Sequence, residues 1–194
     1  MTPQAHILAI VRRALDGGKT VEIDGLGTFR PTHRGNQRSY ELIPQRQAQV
    51  FVAYVQEDLA LALRLRDGIA AAGCAPWLDK DKLLPGQNWP RAIRRAVEIS
   101  DCFVACFSQR AIIKRGHFHS ELRWALECAR LRPLEATFLV PVRFEACEVP
   151  GRIAEQLQYV DLFPDWETGM KKVVRAVKKA GRAGRNPGCR LIQT

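Results

Sequence analysis

The sequence lacks a long apolar run. Stretches such as Phe138-Leu-Val-Pro-Val142 fall far short of the roughly 20 residues a helix needs to cross a bilayer, so a membrane-spanning protein is excluded. The start, Met1-Thr-Pro-Gln-Ala-His6, lacks the basic-then-apolar shape of a secretory signal, and a cytoplasmic location is the expectation. No two of the cysteines at 74, 102, 106, 128, 147 and 189 stand as Cys-x-x-Cys, and the histidines at 6, 33, 117 and 119 do not interleave with them. The cysteines are therefore read as reduced core residues, with no metal site and no disulfide set. Acid is missing from the end of the chain: residues 169–194 hold eight Lys/Arg and no Asp/Glu.

What is present suits a folded protein. Of 194 residues, 46% are hydrophobic and 26% charged, which excludes wholesale disorder. The net charge of +10 is uneven. Residues 1–49 carry seven Lys/Arg and four Asp/Glu, or +3; the end carries +8; the middle is 10 − 3 − 8 = −1. Basic ends suit a polyanion such as nucleic acid or an acidic membrane surface; the plainer reading is a solvated helix face with a loose tail, and of the two partners nucleic acid is kept and a membrane is not expected.

Ile7, Ile10, Val11 and Leu15 recur at helical spacing from His6 to Leu15, and Gly17-Gly18 stops the helix. Val21-Glu-Ile-Asp24, Thr28-Phe-Arg30 and Tyr40-Glu-Leu-Ile43 read as strands, with a basic stretch from His33 to Arg38 between the last two. Pro44 to Gln49 reads as a linker. Strands then alternate with helices. Apolar strands are expected at 50–54, 75–78, 102–107, 138–144 and 159–162. Helices are expected from a cap at Asp58 to Gly73, from a cap at Asn88 through Ile93, Ala96 and Val97, over 118–130, and over 167–179. In the first of these helices Leu59, Ala62, Leu63, Ile69 and Ala70 are expected inward, and Leu65 only weakly. Five short apolar strands alternating with helices predict an α/β fold with a parallel sheet covered on both faces. In a flavodoxin-like strand order, the ligand crevice lies beyond the strand ends, between the first and third strands. The loops after Tyr54 and Phe107 would line it.

Three stretches carry a family resemblance. They are Val50-Phe-Val-Ala-Tyr54 with Glu57-Asp58; Trp77-Leu-Asp-Lys-Asp-Lys-Leu-Leu-Pro-Gly86 with Trp89 and the helix Ile93–Ile99; and Phe107-Ser108, Lys114-Arg-Gly116, Ser120-Glu-Leu122 with Ala125-Leu126. In this order and spacing they resemble the boxes of a TIR (Toll/interleukin-1 receptor) domain of the kind found in bacterial proteins. The domains expected are 1–49, a small α+β extension; 50–180, the TIR domain with its flavodoxin-like five-stranded parallel sheet; and 181–194, a basic tail.

The resemblance implies one of two kinds of work. One is NAD+ glycohydrolysis, giving nicotinamide and ADP-ribose or a cyclic ADP-ribose, with self-association as the trigger and bacterial defence or stress as the setting. NAD+ is then substrate, and no cofactor is needed. The alternative is a non-catalytic interaction adaptor, DNA-associated or mimicking host TIR proteins. Glu121 matches the catalytic glutamate of the cleaving members. One carboxylate suffices there: nicotinamide leaves as a neutral molecule, so no second carboxyl is needed as acid, and the glutamate stabilises the positive ribose centre. From spacing alone, Glu121 reads as a solvated acid in the first turn of a helix, favoured by the dipole; it is the motif that makes it functional.

The same resemblance assigns substrate contacts to Tyr54, Asp79, Lys82 and His117. Each has a plainer reading, as a core aromatic, surface charges of a polar loop, and a solvent-facing histidine. Leu83, Leu84, Pro85 and Gly86 match the BB loop, an assembly surface whose Pro-Gly pair makes its turn. Two departures stand out. Ala53 sits where the first box usually has serine, and His117 replaces a large aromatic.

The run Gly25-Leu-Gly-Thr-Phe29, with the preceding helix, the basic stretch and Tyr40-Glu-Leu-Ile-Pro44, is similar to part of the HU/IHF group of DNA-binding proteins. That likeness implies contacts of Arg30, Arg34 and Arg38 with DNA phosphates.

Overall fold

The computed structural model describes residues 3–23, 26–34, 37–44, 46–78, 88–114, 116–133 and 136–183. The chain divides into two units, Met1–Arg46 and Gln47–Thr194.

The smaller unit begins with helix α1 (Pro3–Asp16). An antiparallel sheet of β1 (Val21–Ile23), β2 (Gly27–Arg34) and β3 (Gln37–Pro44) follows, in the order β1-β2-β3. Within the basic stretch expected between strands, the described residues are themselves strand: Arg34 pairs with Gln37 and His33 with Arg38. Apolar spacing gave no sign of it because the hairpin tip is polar throughout. Leu15 is buried, Val11 half-buried, and Ile10 exposed rather than inward.

In the larger unit every strand pairing is parallel. Its strands are β4 (Gln49–Ala53), β5 (Ala75–Trp77), β6 (Cys102–Phe107), β7 (Leu139–Arg143) and β8 (Val160–Asp161). The order β5-β4-β6-β7-β8 is the flavodoxin-like one, reversing between β4 and β6. Strand alternation sorts the side chains into two layers. Val50, Val52, Cys102, Val104, Cys106, Val140 and Val142 face helices α2 (Leu59–Ala71) and α7 (Trp166–Ala183). Phe51, Ala53, Phe103, Ala105, Phe107 and Leu139 face α3 (Trp89–Ile99) and α5 (His117–Arg130). On that second face Phe51 stacks on Trp77 at 4.8 Å and on Phe103 at 5.2 Å. Burying each such ring contributes about 1.5–3 kcal/mol.

Four details differ from the sequence reading. Ala48 and Gln49, expected in a linker, belong to the larger unit: Ala48 is buried and its carbonyl accepts the Ala75 N–H. In α2, Leu65 is fully buried while Ala70 is exposed, because Ala62, Leu65 and Ile69 form the inward stripe. Two one-turn helices escaped notice, α4 (Gln109–Ile113) and α6 (Gly151–Ala154). Helix α7 runs to Ala183, past the expected start of the tail; a methyl on Gly181 would meet the Ala48 Cβ at 2.5 Å.

Asn88 caps α3 as expected, its side chain accepting the Arg91 N–H at 3.2 Å. Asp58 precedes α2 without capping it. Its carboxylate is buried and accepts the Ser108 hydroxyl at 2.5 Å. The cysteines at 74, 102, 106, 128 and 147 are buried and free, and burial raises the thiol pKa of the last four. Cys189 lies outside the described residues. Among the described residues, no helix is long and apolar enough to cross a membrane.

Candidate functional site

The crevice opens beyond the carboxyl ends of β4 and β6, where the strand order reverses. Strand β4 leads into Tyr54, Val55 and a 3-10 turn, Gln56–Asp58. Strand β6 leads into Ser108, whose hydroxyl oxygen accepts the Ala111 N–H at 3.1 Å and so caps α4. The same hydroxyl donates to Asp58, tying the two strand ends together beneath the crevice. Arg110 lies 3.8 Å from the other Asp58 oxygen. A second tie lies at the rim, where Lys114 Nζ donates to Glu57 Oε1 at 2.5 Å. That bond holds the Glu57 carboxyl below its ordinary pKa.

A cavity of about 330 Å³ sits on this base, lined by Tyr54, Val55, Gln56, Lys114, His117 and Glu121 among others. Tyr54 is half-buried and also packs against the core layer of α2 and α7. The structure therefore brings Tyr54, His117 and Glu121 to one cavity. The first turn of α5 holds no acid. The helix starts at His117, a residue earlier than expected, so Glu121 is its fifth residue and stands just past the first turn. There the helix dipole gives a carboxylate less support. Asp79, Lys82 and the turn Leu83-Leu84-Pro85-Gly86 lie outside the described residues.

A second cavity, of about 410 Å³, adjoins the first and shares His117 and Glu121 with it. It runs between α3 and α5, along Trp89, Arg94, Arg123 and Trp124. His117 meets Trp89 edge to face at 4.3 Å, and the Arg94 guanidinium lies 5.2 Å from the Trp124 ring centre. So His117 neighbours a large aromatic although it replaces one. The sequence reading missed this groove. Helical arithmetic held the signal: His117, Glu121 and Trp124 follow i, i+4, i+7 spacing, and Trp89 and Ile93 follow i, i+4.

In the smaller unit, Arg30 is exposed on β2, opposite Glu41 on β3. Arg34 and Arg38 lie at the two ends of the hairpin tip. Among the described residues, no group of three His, Cys, Asp or Glu could hold a metal ion.

Comparison with known proteins agrees with this architecture. The family described as "TIR domain" matches residues 50–174. The TIR domain of the Toll-related receptor TRR-2 from Hydra magnipapillata is 19% identical; the match covers 68% of this chain and 99% of that one, with a TM-score of 0.56. A TIR-STING receptor from C. gigas, solved in complex with 2',3'-cGAMP, is 16% identical over 71% of this chain and 41% of its own, with a TM-score of 0.50. No curated protein matches. With the family matched across most of the larger unit and the same fold in these relatives, the chain belongs to the TIR domain family.

Proposed function

We propose that this TIR domain is an NAD+ glycohydrolase acting through Glu121. The observation that carries the reading is the position of that carboxylate. It lines both cavities at once, at the strand-order reversal where open α/β sheets bind ligands. NAD+ seated at this point passes its nicotinamide–ribose bond by Glu121.

The chemistry balances with one carboxylate. The bond between ribose C1′ and the pyridinium nitrogen breaks, its electron pair goes to nitrogen, and nicotinamide leaves neutral. Positive charge grows on C1′ and the ring oxygen. Glu121 opposes that charge and accepts hydrogen bonds from the ribose hydroxyls; a preorganised group aimed at the charge that develops in the transition state is usually the largest single contribution to the rate. Water then adds at C1′, giving ADP-ribose and releasing a proton; attack by the adenine ring instead gives the cyclic product. Tyr54 and His117 supply flat surfaces for the departing ring, and Lys114 a cation at the rim. Asp79 and Lys82 complete the substrate contacts in this reading. Self-association through the loop at Leu83, Leu84, Pro85 and Gly86 is part of the same proposal, as is DNA contact by Arg30, Arg34 and Arg38 of the N-terminal unit.

The test is chromatography of NAD+ incubated with the full chain across a range of protein concentrations, with and without duplex DNA. Nicotinamide release that rises more steeply than protein concentration supports a self-associating glycohydrolase; a further rise with DNA supports the role given to the basic N-terminal unit. A folded chain that releases no nicotinamide under any of these conditions leaves the interaction adaptor as the better reading.

A further inference from the structure

The groove between α3 and α5 is larger than the strand-end cavity, and the bond-breaking chemistry gives it no task. We infer that it is the subsite for the adenosine diphosphate half of the substrate; the inference rests on the glycohydrolase reading for the identity of the whole dinucleotide. With the scissile bond at Glu121, the two halves of the molecule must lie on opposite sides of that residue. The strand-end cavity then takes the nicotinamide, and the groove takes the other half.

Its lining suits a purine nucleoside diphosphate. Arg94 and Arg123 both line it, and among the described residues neither forms an ion pair with a carboxylate. Two such guanidinium groups match a diphosphate in charge and in hydrogen-bonding geometry. Trp89 is 41% exposed and Trp124 is half-buried, so the groove offers indole surface against which a purine can stack. Arg94 already lies over Trp124, so one side chain can stack and bind phosphate together. The Trp124 Nε1–H is buried and has no hydrogen-bond partner; a buried donor of this kind is uncommon, and phosphate and purine nitrogens are both acceptors. Two carboxylates of the lining oppose an anion: Glu121, which stands where the groove meets the strand-end cavity, and Glu127. The Glu127 carboxylate is engaged by Arg130 at 3.2 Å.

The experiment uses the full chain carrying Glu121→Gln, so that ligand binding is read without turnover. ADP, and separately nicotinamide mononucleotide, are titrated while the indole N–H resonances of the four tryptophans are followed by NMR. Trp89→Phe and Trp124→Phe spectra assign the two groove signals. The expected result is saturable movement of the Trp89 and Trp124 signals with ADP and none with the mononucleotide. The Trp77 and Trp166 signals report that each variant is folded. Adding Arg94→Gln and Arg123→Gln together should weaken ADP binding about tenfold or more. The inference is overturned if ADP leaves the Trp124 signal in place, if the mononucleotide moves it instead, or if the double arginine variant binds ADP as before. These outcomes stand apart from the glycohydrolase reading. ADP bound in the groove of a chain that never releases nicotinamide refutes only that reading; nicotinamide release with an ADP-blind groove refutes only this one.

Discussion

Residues 47–183 and residues 3–44 are both built from helices and strands, but they differ in what they bury. The larger unit has two apolar layers, one on each face of its sheet, and all six side chains of β6 are inside. In the smaller unit Leu15 is the one large apolar side chain that is buried, among those described. Ile10, Leu26, Tyr40, Leu42 and Ile43 are each more than a third exposed. A piece of this length has little interior of its own. Its sheet is held by backbone pairing and half-covered side chains, whereas the larger unit is held by packing. Mutations should therefore be felt very differently in the two.

The largest expected difference is between two phenylalanines. Phe103→Ala removes a fully buried ring from the centre of the α3/α5 layer and should cost about 3–5 kcal/mol. Phe29→Ala removes a half-buried one from β2 and should cost about 1 kcal/mol, since less area is at stake. All four tryptophans lie in the larger unit, so denaturant unfolding followed by tryptophan fluorescence reads that unit alone. Its midpoint should fall sharply for Phe103→Ala and stay put for Phe29→Ala. A fluorescence midpoint that moves equally for both would mean that the units unfold as one.

Glycines give the next contrast. A methyl at Gly169 would lie 2.3 Å from the Asp161 carbonyl oxygen and 2.9 Å from Leu162 Cδ2. Gly169→Ala should destabilise by about 1–3 kcal/mol through overpacking. Gly18 has open space around it but a φ of +75°, so Gly18→Ala should cost about 1 kcal/mol, through conformation alone. Thermal unfolding followed by fluorescence and by circular dichroism separates the two.

Polar ties follow. Asp58→Ala leaves the Ser108 hydroxyl without its buried acceptor and should cost about 1–3 kcal/mol. Tyr40→Phe removes an exposed bond to Asp16 and should change stability by less than about 0.5 kcal/mol. The smallest effect belongs to the exposed Glu57–Lys114 pair. Because the folded state lowers the Glu57 pKa, its contribution is present above the ordinary carboxyl value near 4.5 and is lost as pH falls through the folded value. The stability difference between the native chain and Glu57→Gln should thus be constant at neutral pH and shrink in acid. A difference that instead grows in acid would contradict the assignment.

The same contrast explains what could be read beforehand. Strand β6 was legible to the residue because burial on both faces makes it a continuous apolar run. The α3 face of Ile93, Ala96 and Val97 was legible because three turns establish a period. Helices α4 and α6 were not, since a single turn has no period; only the cap residue Ser108 and the proline at 150 hint at them. Asp58 was misread because a carboxylate before a helix normally caps it; only the fold shows Ser108 arriving from 50 residues away. In the smaller unit, the hairpin around Arg34 and Arg38 was missed because residues 33–38 are polar or glycine and so carry no apolar alternation. Of the candidate site, motif resemblance singled out Tyr54, His117 and Glu121, which line one cavity. It gave no role to Arg94, which lies inside the quoted helix Ile93–Ile99, or to Trp124, and the two come together only because α3 packs against α5.

The central claim is that the Glu121 carboxylate, where the two cavities meet, breaks the nicotinamide–ribose bond. The most direct measurement is the rate of nicotinamide release from NAD+ by the native chain and by Glu121→Gln at equal concentration, with circular dichroism to show both folded. The expected result is release by the native chain and a loss of about 100-fold or more in the variant. Equal rates from the two proteins would contradict the account.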